Sequence, residues 1–554
     1  MQALEEAAAS SKASSQRALP ILTAAVVVTT LGIVATLMRP TAPPAGTVAL
    51  GSSGSTSLDA YRLFAKGVDA SVNVRWSEAV TWLEQAVMID PAFAEAHLRL
   101  ALAYGGLGQI TARDRALRNA SAHAAKLSER HRLLLGVSLE ADPGGDPSRR
   151  AQLLDELLTR FPDVEEAYPV AFGLYHPVSG VFPNLDKLLT IARVGATVLP
   201  ASPQSRNMYA LALTEAGRLT EAIREFEEYA RLAPREPSPF DSIGGVYLSL
   251  GAPAEAVQSY SRALAIDPGF PSGSGLAYAL GMLGRYEEAI AAKPSIVHVH
   301  AFLVSRTGRH AEAERILRSG LARAQIDGNT FIAAGIHLTS AVLSLERKDY
   351  AAVHREVAAS RDPLSAVPPG FARHWSLIAD TLAGLADLGL GRTARAEALA
   401  DSQARTFRPS HPVERFWHWI LQGELALVRG DPAGAAMAFS AGELSKRRGI
   451  SLDIPGAVVT NNLILRDGAA RAAHARGDLP AALEIYRRLL ANGPDQKWVA
   501  LYEPRYVLRL ARLLEQAGDR QSARAEYLRF LELWKHADAN LPELAEVRRA
   551  LAVK

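Results

Sequence analysis

Cysteine is absent from all 554 residues, which excludes disulfides, thiolate metal sites and cysteine nucleophiles. That absence leaves the compartment open, because a helical array folds without disulfides in reducing or oxidising surroundings. A surplus of one charge is also lacking. The 61 Lys and Arg residues are mixed with 58 Asp and Glu, for a net charge of +3. With no concentrated basic field to track phosphates, nucleic acid is not an expected partner. Strand signals are scarce, since period-two alternation is never sustained. No Walker motif, HExxH or GxSxG occurs, and there is no Gly-rich kinase loop, HRD with a downstream Asn, or DFG. The sequence therefore predicts no enzyme, no catalytic or metal-binding residue and no cofactor.

Long hydrophobic runs are missing too, with one exception. "ALPILTAAVVVTTLGIVATLM", residues 18–38, carries no charge, while Lys12 and Arg17 precede it and Arg39 follows. At a rise of about 1.5 Å per residue, such a helix spans about 30 Å, the thickness of a bilayer's hydrocarbon core. The run is longer than a signal-peptide core of about 7–15 residues, and the prolines of "RPTAPPAG" would obstruct cleavage after it. Val, Ile and Leu lie on every face, so a buried soluble helix is the poorer reading. The expectation is an uncleaved transmembrane helix, with the lipid bilayer as its partner. Lys12, Arg17 and the amino terminus outweigh Arg39, placing a short 1–17 tail in the cytoplasm. The bulk of the chain is then extracytoplasmic, in the periplasm if the membrane is the inner membrane of a Gram-negative bacterium. Residues 39–57, rich in Pro, Ala, Gly and Ser, read as a flexible spacer.

From Leu58 onward, amphipathic segments of 12 to 16 residues recur in pairs at a period near 34, broken by Gly, Asp or Pro. The clearest unit is "PSPFDSIGGVYLSLGAPAEAVQSYSRALAIDP", residues 237–268. Small residues at Gly244, Ala256 and Ala263 let two helices approach closely, Tyr247 and Tyr260 fill the space between pairs, and Pro268 closes the unit. In spacing and chemistry it resembles the tetratricopeptide repeat. Further units are "WSEAVTWLEQAVMIDP" (76–91), "ALTEAGRLTEAIREFEEYARLAP" (212–234), "ALGMLGRYEEAI" (279–290), "LVRGDPAGAAMAFSAG" (427–442), "HARGDLPAALEIYRRLL" (474–490) and "EQAGDRQSARAEYLRFLELW" (515–534). The later ones keep a turn Gly, an Ala five residues on and an aromatic four beyond that. The expected fold is all-α: an α-solenoid of about ten to twelve helical hairpins over 58–554, preceded by one N-terminal transmembrane helix. The weakest fits are 128–200 and 290–415.

Two longer stretches, "YGGLGQITARDRALRNASAHAAKLSERHRLLLGVSLEA" (104–141) and the segment 502–552, resemble the sensor region of bacterial transmembrane serine/threonine kinases of the tetratricopeptide type. The similar region runs from roughly 55 to the end. In that family a cytoplasmic kinase domain precedes the membrane helix, and some relatives carry a DNA-binding winged helix instead. The kinase motifs are not found here, so no catalytic residue is carried over.

Other motifs read as structural. His298 and His300 of "VHVH" point about 200° apart on a helix and lack a carboxylate in register for a metal. "GSGLAYALG" (273–281) has Tyr278 where a nucleotide loop needs its third Gly. "ERFWHWI" (414–420) could anchor a partner peptide, although core packing is favoured, with Phe416 and Trp419 inward and Trp417 the exposed member. "WVALYEPRYVLRL" (498–510) is read in the same way. The repeat's usual geometry implies a groove lined by first-helix residues and nominates Gln204, Asn207, Thr214 and Asp241 to hydrogen-bond a protein or peptide ligand. The expected function is membrane-anchored protein–protein interaction or scaffolding. The alternative is a ligand-sensing subunit acting with a separately encoded kinase or regulator.

Overall fold

The computed structural model describes residues 57–72, 76–107, 109–141, 145–176, 181–292, 296–366, 369–407, 412–445, 466–491 and 501–552, with residues 55 and 294 besides. The tail 1–17, the apolar run 18–38 and most of the 39–57 spacer lie outside the described residues. Among the described residues, no helix is long and apolar enough to cross a membrane. Every long regular element among them is an α-helix, and no strand occurs.

Two compact units divide inside one helix, Met1–Ile243 and Gly244–Lys554. In the first, neighbours pair in order: α1 (Leu58–Val72) with α2 (Trp76–Ile89), α3 (Ala94–Gly106) with α4 (Ile110–Ala122), and α5 (Glu129–Leu139) with α6 (Pro147–Arg160). Two more pairs follow, α7 (Ala167–Tyr175) with α8 (Leu185–Val198) and α9 (Pro203–Glu215) with α10 (Leu219–Leu232). The core of this unit includes Phe64, Leu83, Phe93, Leu134 and Leu154. Gly67 is small for a reason, because a Cβ there would fall 2.5 Å from Cγ of Leu83 on the paired helix.

The dividing helix is α11 (Ser238–Ser249). The second unit continues with α12 (Pro253–Ile266), α13 (Gly273–Met282), α14 (Tyr286–Ala291), α15 (Val297–Arg306), α16 (His310–Ile326), α17 (Thr330–Glu346) and α18 (Tyr350–Ser365). Beyond these lie α19 (Pro369–Gly389), α20 (Thr393–Thr406), α21 (Pro412–Val428), α22 (Pro432–Ser445), α23 (Gly468–Ala475) and α24 (Leu479–Leu490). The last elements are α25 (Pro504–Gln516), α26 (Arg520–Leu533) and α27 (Pro542–Ala552). From α13 to α26, consecutive helices pack as hairpins, α13 on α14, α15 on α16, and so on through α25 on α26.

One local rule organises the turns. Gly217, Gly251, Gly284, Gly308, Gly391, Gly430, Gly477 and Gly518 all have positive φ, and the second helix of a hairpin starts two residues after each. A left-handed residue there ends the first helix and redirects the chain without a Cβ clash. An acidic cap often follows immediately: Asp478 accepts the Ala481 N–H at 3.1 Å and Asp519 that of Ser522 at 3.1 Å. Five residues after the turn stands a fully buried alanine, as at Ala222, Ala256, Ala313, Ala396, Ala435 and Ala482. The aromatic four further on is buried as well, as at Phe226, Tyr260, Phe439 and Tyr486.

The two helices of a hairpin differ in burial. Nine of thirteen residues of α9 are buried, against three of fourteen in α10. The same contrast separates α25 from α26. First helices form an inner layer with neighbours on several sides, and second helices present one apolar stripe and expose the rest.

Candidate functional site

Helix α9 brings together three of the residues nominated from sequence. Its entry is pinned by Ser202, whose hydroxyl accepts the Ser205 N–H at 2.9 Å and donates to the Glu165 carboxylate. Gln204, Asn207 and Thr214 then lie along one helix of the inner layer, and all three are buried, Asn207 completely. Several of their polar atoms have no hydrogen-bond partner among the described residues: Gln204 Nε2, both side-chain atoms of Asn207 and Thr214 Oγ1, together with Ser205 Oγ. A concentration of unpaired donors and acceptors on one short helix is costly, at about 1–3 kcal/mol for each group. Asp241, on α11, is half-buried.

A charged group on the preceding hairpins adjoins the start of α9. Arg99 on α3 donates to Glu166. Glu95, one turn earlier, stands 3.5 Å from His131 Nε2 on α5, and Glu165 receives the Ser202 hydroxyl. Burial shapes the ionisation of all of them. It raises the carboxyls of Glu95 and Glu165 above the usual range, against the pull of Arg99. Burial also lowers the Arg99 guanidinium, while its glutamates oppose that change. His131 is depressed to about 4, by burial first and then by Arg99 and Arg130. At neutral pH the imidazole is therefore uncharged and hydrogen-bonds as a neutral group. Sequence reasoning missed this group because its members stand far apart in the chain. The available signal was charge at inner positions of first helices, as in "AEAHLRL".

Trp417 requires a correction. It was expected to be the exposed aromatic of "ERFWHWI", but it is 1% exposed, packed edge-on at 5.0 Å to Phe416 and 6.0 Å from the His374 ring. Its neighbour Trp419 is the half-buried one. The reason is the layer: α21 is a first helix, so the side of it that reads as outward meets another helix. His298 is buried on α15, with the half-buried His300 two residues on in the same helix. The 273–281 glycines serve packing, for Gly275 lies directly against the ring of Tyr260.

Sequence models described as "TPR repeat" or "Tetratricopeptide repeat" match residues 75–108, 187–237 and 241–270. The chain carries tetratricopeptide repeats. The α9–α10 hairpin and the unpaired polar row on it fall inside the second match. Solved structures give weak likenesses. The APC/C hetero-tetramer Cut9–Hcn1 is 14% identical, over 91% of this chain and 99% of that one, with a TM-score of 0.38. A tetratricopeptide repeat protein from Parabacteroides merdae is 14% identical over 55% of this chain and 97% of its own, with a TM-score of 0.31. Yeast Tom70 is 13% identical over 89% and 95%, with a TM-score of 0.27. Comparison with curated proteins finds no match.

Proposed function

We propose that this chain is a membrane-anchored tetratricopeptide-repeat protein that binds a protein partner stoichiometrically. Residues 18–38 are its single-pass anchor, in a bacterial inner membrane, and its repeats lie on the extracytoplasmic side. The observation that carries the binding role is the row on α9, where Gln204, Ser205, Asn207 and Thr214 hold polar atoms with no partner among the described residues. These atoms are buried in the free protein, so a ligand supplies the missing donors and acceptors only when α9 is uncovered on binding. An extended peptide backbone offers alternating N–H and C=O groups to such a row. The resemblance of 104–141 and 502–552 to sensor regions is compatible with a partner that signals.

The test replaces the polar groups by apolar ones of similar size. Asn207→Leu and Gln204→Leu, in the full chain, are expected to leave the thermal midpoint unchanged or raise it, because each removes an unpaired buried group. Affinity for a peptide selected against the wild-type chain should fall at least tenfold, about 1.4 kcal/mol. Undiminished binding in both variants would remove α9 from the site. For the anchor, a topology reporter fused after Ser57 should be active only outside the cytoplasm.

A further inference from the structure

A stack of helical repeats normally leaves its last hairpin touching one neighbour, so the end is the loosest part. In the second unit the α25–α26 hairpin is held from two sides. It packs on α24, and it also contacts turns more than 200 residues earlier in the chain.

Backbone and side chains both take part. The Tyr502 N–H donates to the Gly281 carbonyl at 3.2 Å, and the Tyr286 hydroxyl donates to the carbonyl of Tyr502. At the other end of the hairpin the Trp534 indole N–H donates to the Arg306 carbonyl at 2.9 Å. The Asp538 N–H donates to the Gly308 carbonyl at 3.1 Å, while the Asp538 carboxylate accepts the Ala311 N–H at 3.0 Å. The fit is close, since a Cβ on Gly308 would lie 2.6 Å from that of Ala537 and 3.0 Å from the Trp534 ring. Gly308 thus serves twice, as the left-handed turn residue and as the floor on which Trp534 rests.

Charge pairing makes the contact specific. Arg306 is completely buried and donates to Glu346 on α17 and to Glu503, the cap of α25. Arg505 donates to the same Glu346 at 2.8 Å. Side-chain exposures across these four groups run from 0% to 6%. Ions buried to this degree persist only when paired, because desolvation costs several kcal/mol for each. With α25 absent, Arg306 and Glu346 would each lose a partner that the fold has placed for them. The pairing therefore belongs to a designed seat rather than to an incidental touch.

We infer that the turn face at residues 281–311 is a docking surface whose occupant is this chain's own α25–α26 hairpin, so that the hairpin acts as a latch closing the second unit on itself. Tethering raises the effective concentration of the hairpin at its seat, so modest contacts keep it docked. Closure also removes the independence of distant repeats. In an open stack, damage to the last hairpin spreads only to the hairpin before it. In a latched one, it reaches residues 281–311 directly.

Hydrogen exchange on the full chain tests this. In Trp534→Ala, amides of 306–311, including that of Ala311, are expected to exchange at least tenfold faster, with 76–107 in the other unit unchanged. Acceleration confined to 501–552 would overturn the latch. A second pair guards against a variant that fails to fold. The chain has no native cysteine, so Ala311→Cys combined with Asp538→Cys introduces the only two thiols. A short bismaleimide should join them within one native chain and raise the unfolding midpoint. Thiols that stay unlinked under native conditions would equally refute the docking.

Discussion

Lys348 is the one non-glycine residue with positive φ among the described residues. It stands two residues before α18, where eight other hairpins place a left-handed glycine, and its φ is +62°. A side chain in that region costs about 1–2 kcal/mol, partly offset by the extra freedom glycine has when unfolded. Lys348→Gly is expected to stabilise the chain by about 0.5–1 kcal/mol in chemical denaturation, and Gly391→Lys, at an equivalent turn, to destabilise it by a similar amount. His310 supplies a second single-residue effect. It is buried, edge-on at 6.0 Å to Trp534 and close to the charges of Arg505, Arg306, Glu346 and Arg347. Burial, then the arginines, depress it to about 4 from an ordinary 6.5. The unfolded chain thus takes up a proton first as pH falls. The stability this histidine permits is whole above pH 6.5 and is lost progressively down to about pH 4, by at most about 3 kcal/mol. Denaturation at pH 7 and pH 4.5 should show a smaller drop in His310→Phe than in wild type. An equal drop would place the sensitivity elsewhere.

At the scale of the element, the hairpin was readable and its two helices were not equally so. A turn Gly, an Ala five residues on and an aromatic four beyond were visible from Gly217, Gly251, Gly430, Gly477 and Gly518, and each marked alanine is buried in the structure. Second helices such as α24 carry a single apolar stripe, which sequence periodicity detects directly. Ala482, at the close approach of α24, has no exposed surface. Ala482→Leu should therefore overpack the hairpin and cost about 1–3 kcal/mol, whereas Ala481→Leu on the same helix should cost under about 1 kcal/mol. First helices hide their roles. On α9 and α21 a polar or amphipathic residue reads as outward, yet both helices are covered on several sides. That is why Trp417 was misplaced, and why Asn207 could be nominated as a contact without its complete burial being foreseen. The Glu95–Arg99–His131–Glu165 group was illegible for a related reason: no periodic signal links residues on two separate helices and a loop.

At the scale of the whole molecule, stability in the second unit rests on more than the sum of neighbouring repeats. Glu346 is the centre of the buried charge group, shared by Arg306 and Arg505. Glu346→Ala would leave Glu503 alone to neutralise the two buried guanidinium groups of Arg306 and Arg505 and is expected to cost about 3–5 kcal/mol, the range found when one member of a buried pair is removed. Replacing all four charged residues with apolar ones of similar volume should cost far less, since paired buried ions contribute little net stability. Calorimetry of the single and quadruple variants distinguishes pairing from mere packing. The sequence by itself determined the helical class, the hairpin period and the turn and close-approach residues of the clearest repeats, such as those at Gly217, Gly251, Gly430, Gly477 and Gly518, because those depend on interactions within about 34 residues. Only the tertiary structure decided that Trp417 is inside, that α9 carries unpaired polar atoms and that Glu503 reaches Arg306. Such facts depend on how successive hairpins stack, and small rotations accumulated over many repeats leave no mark on any one segment of the chain.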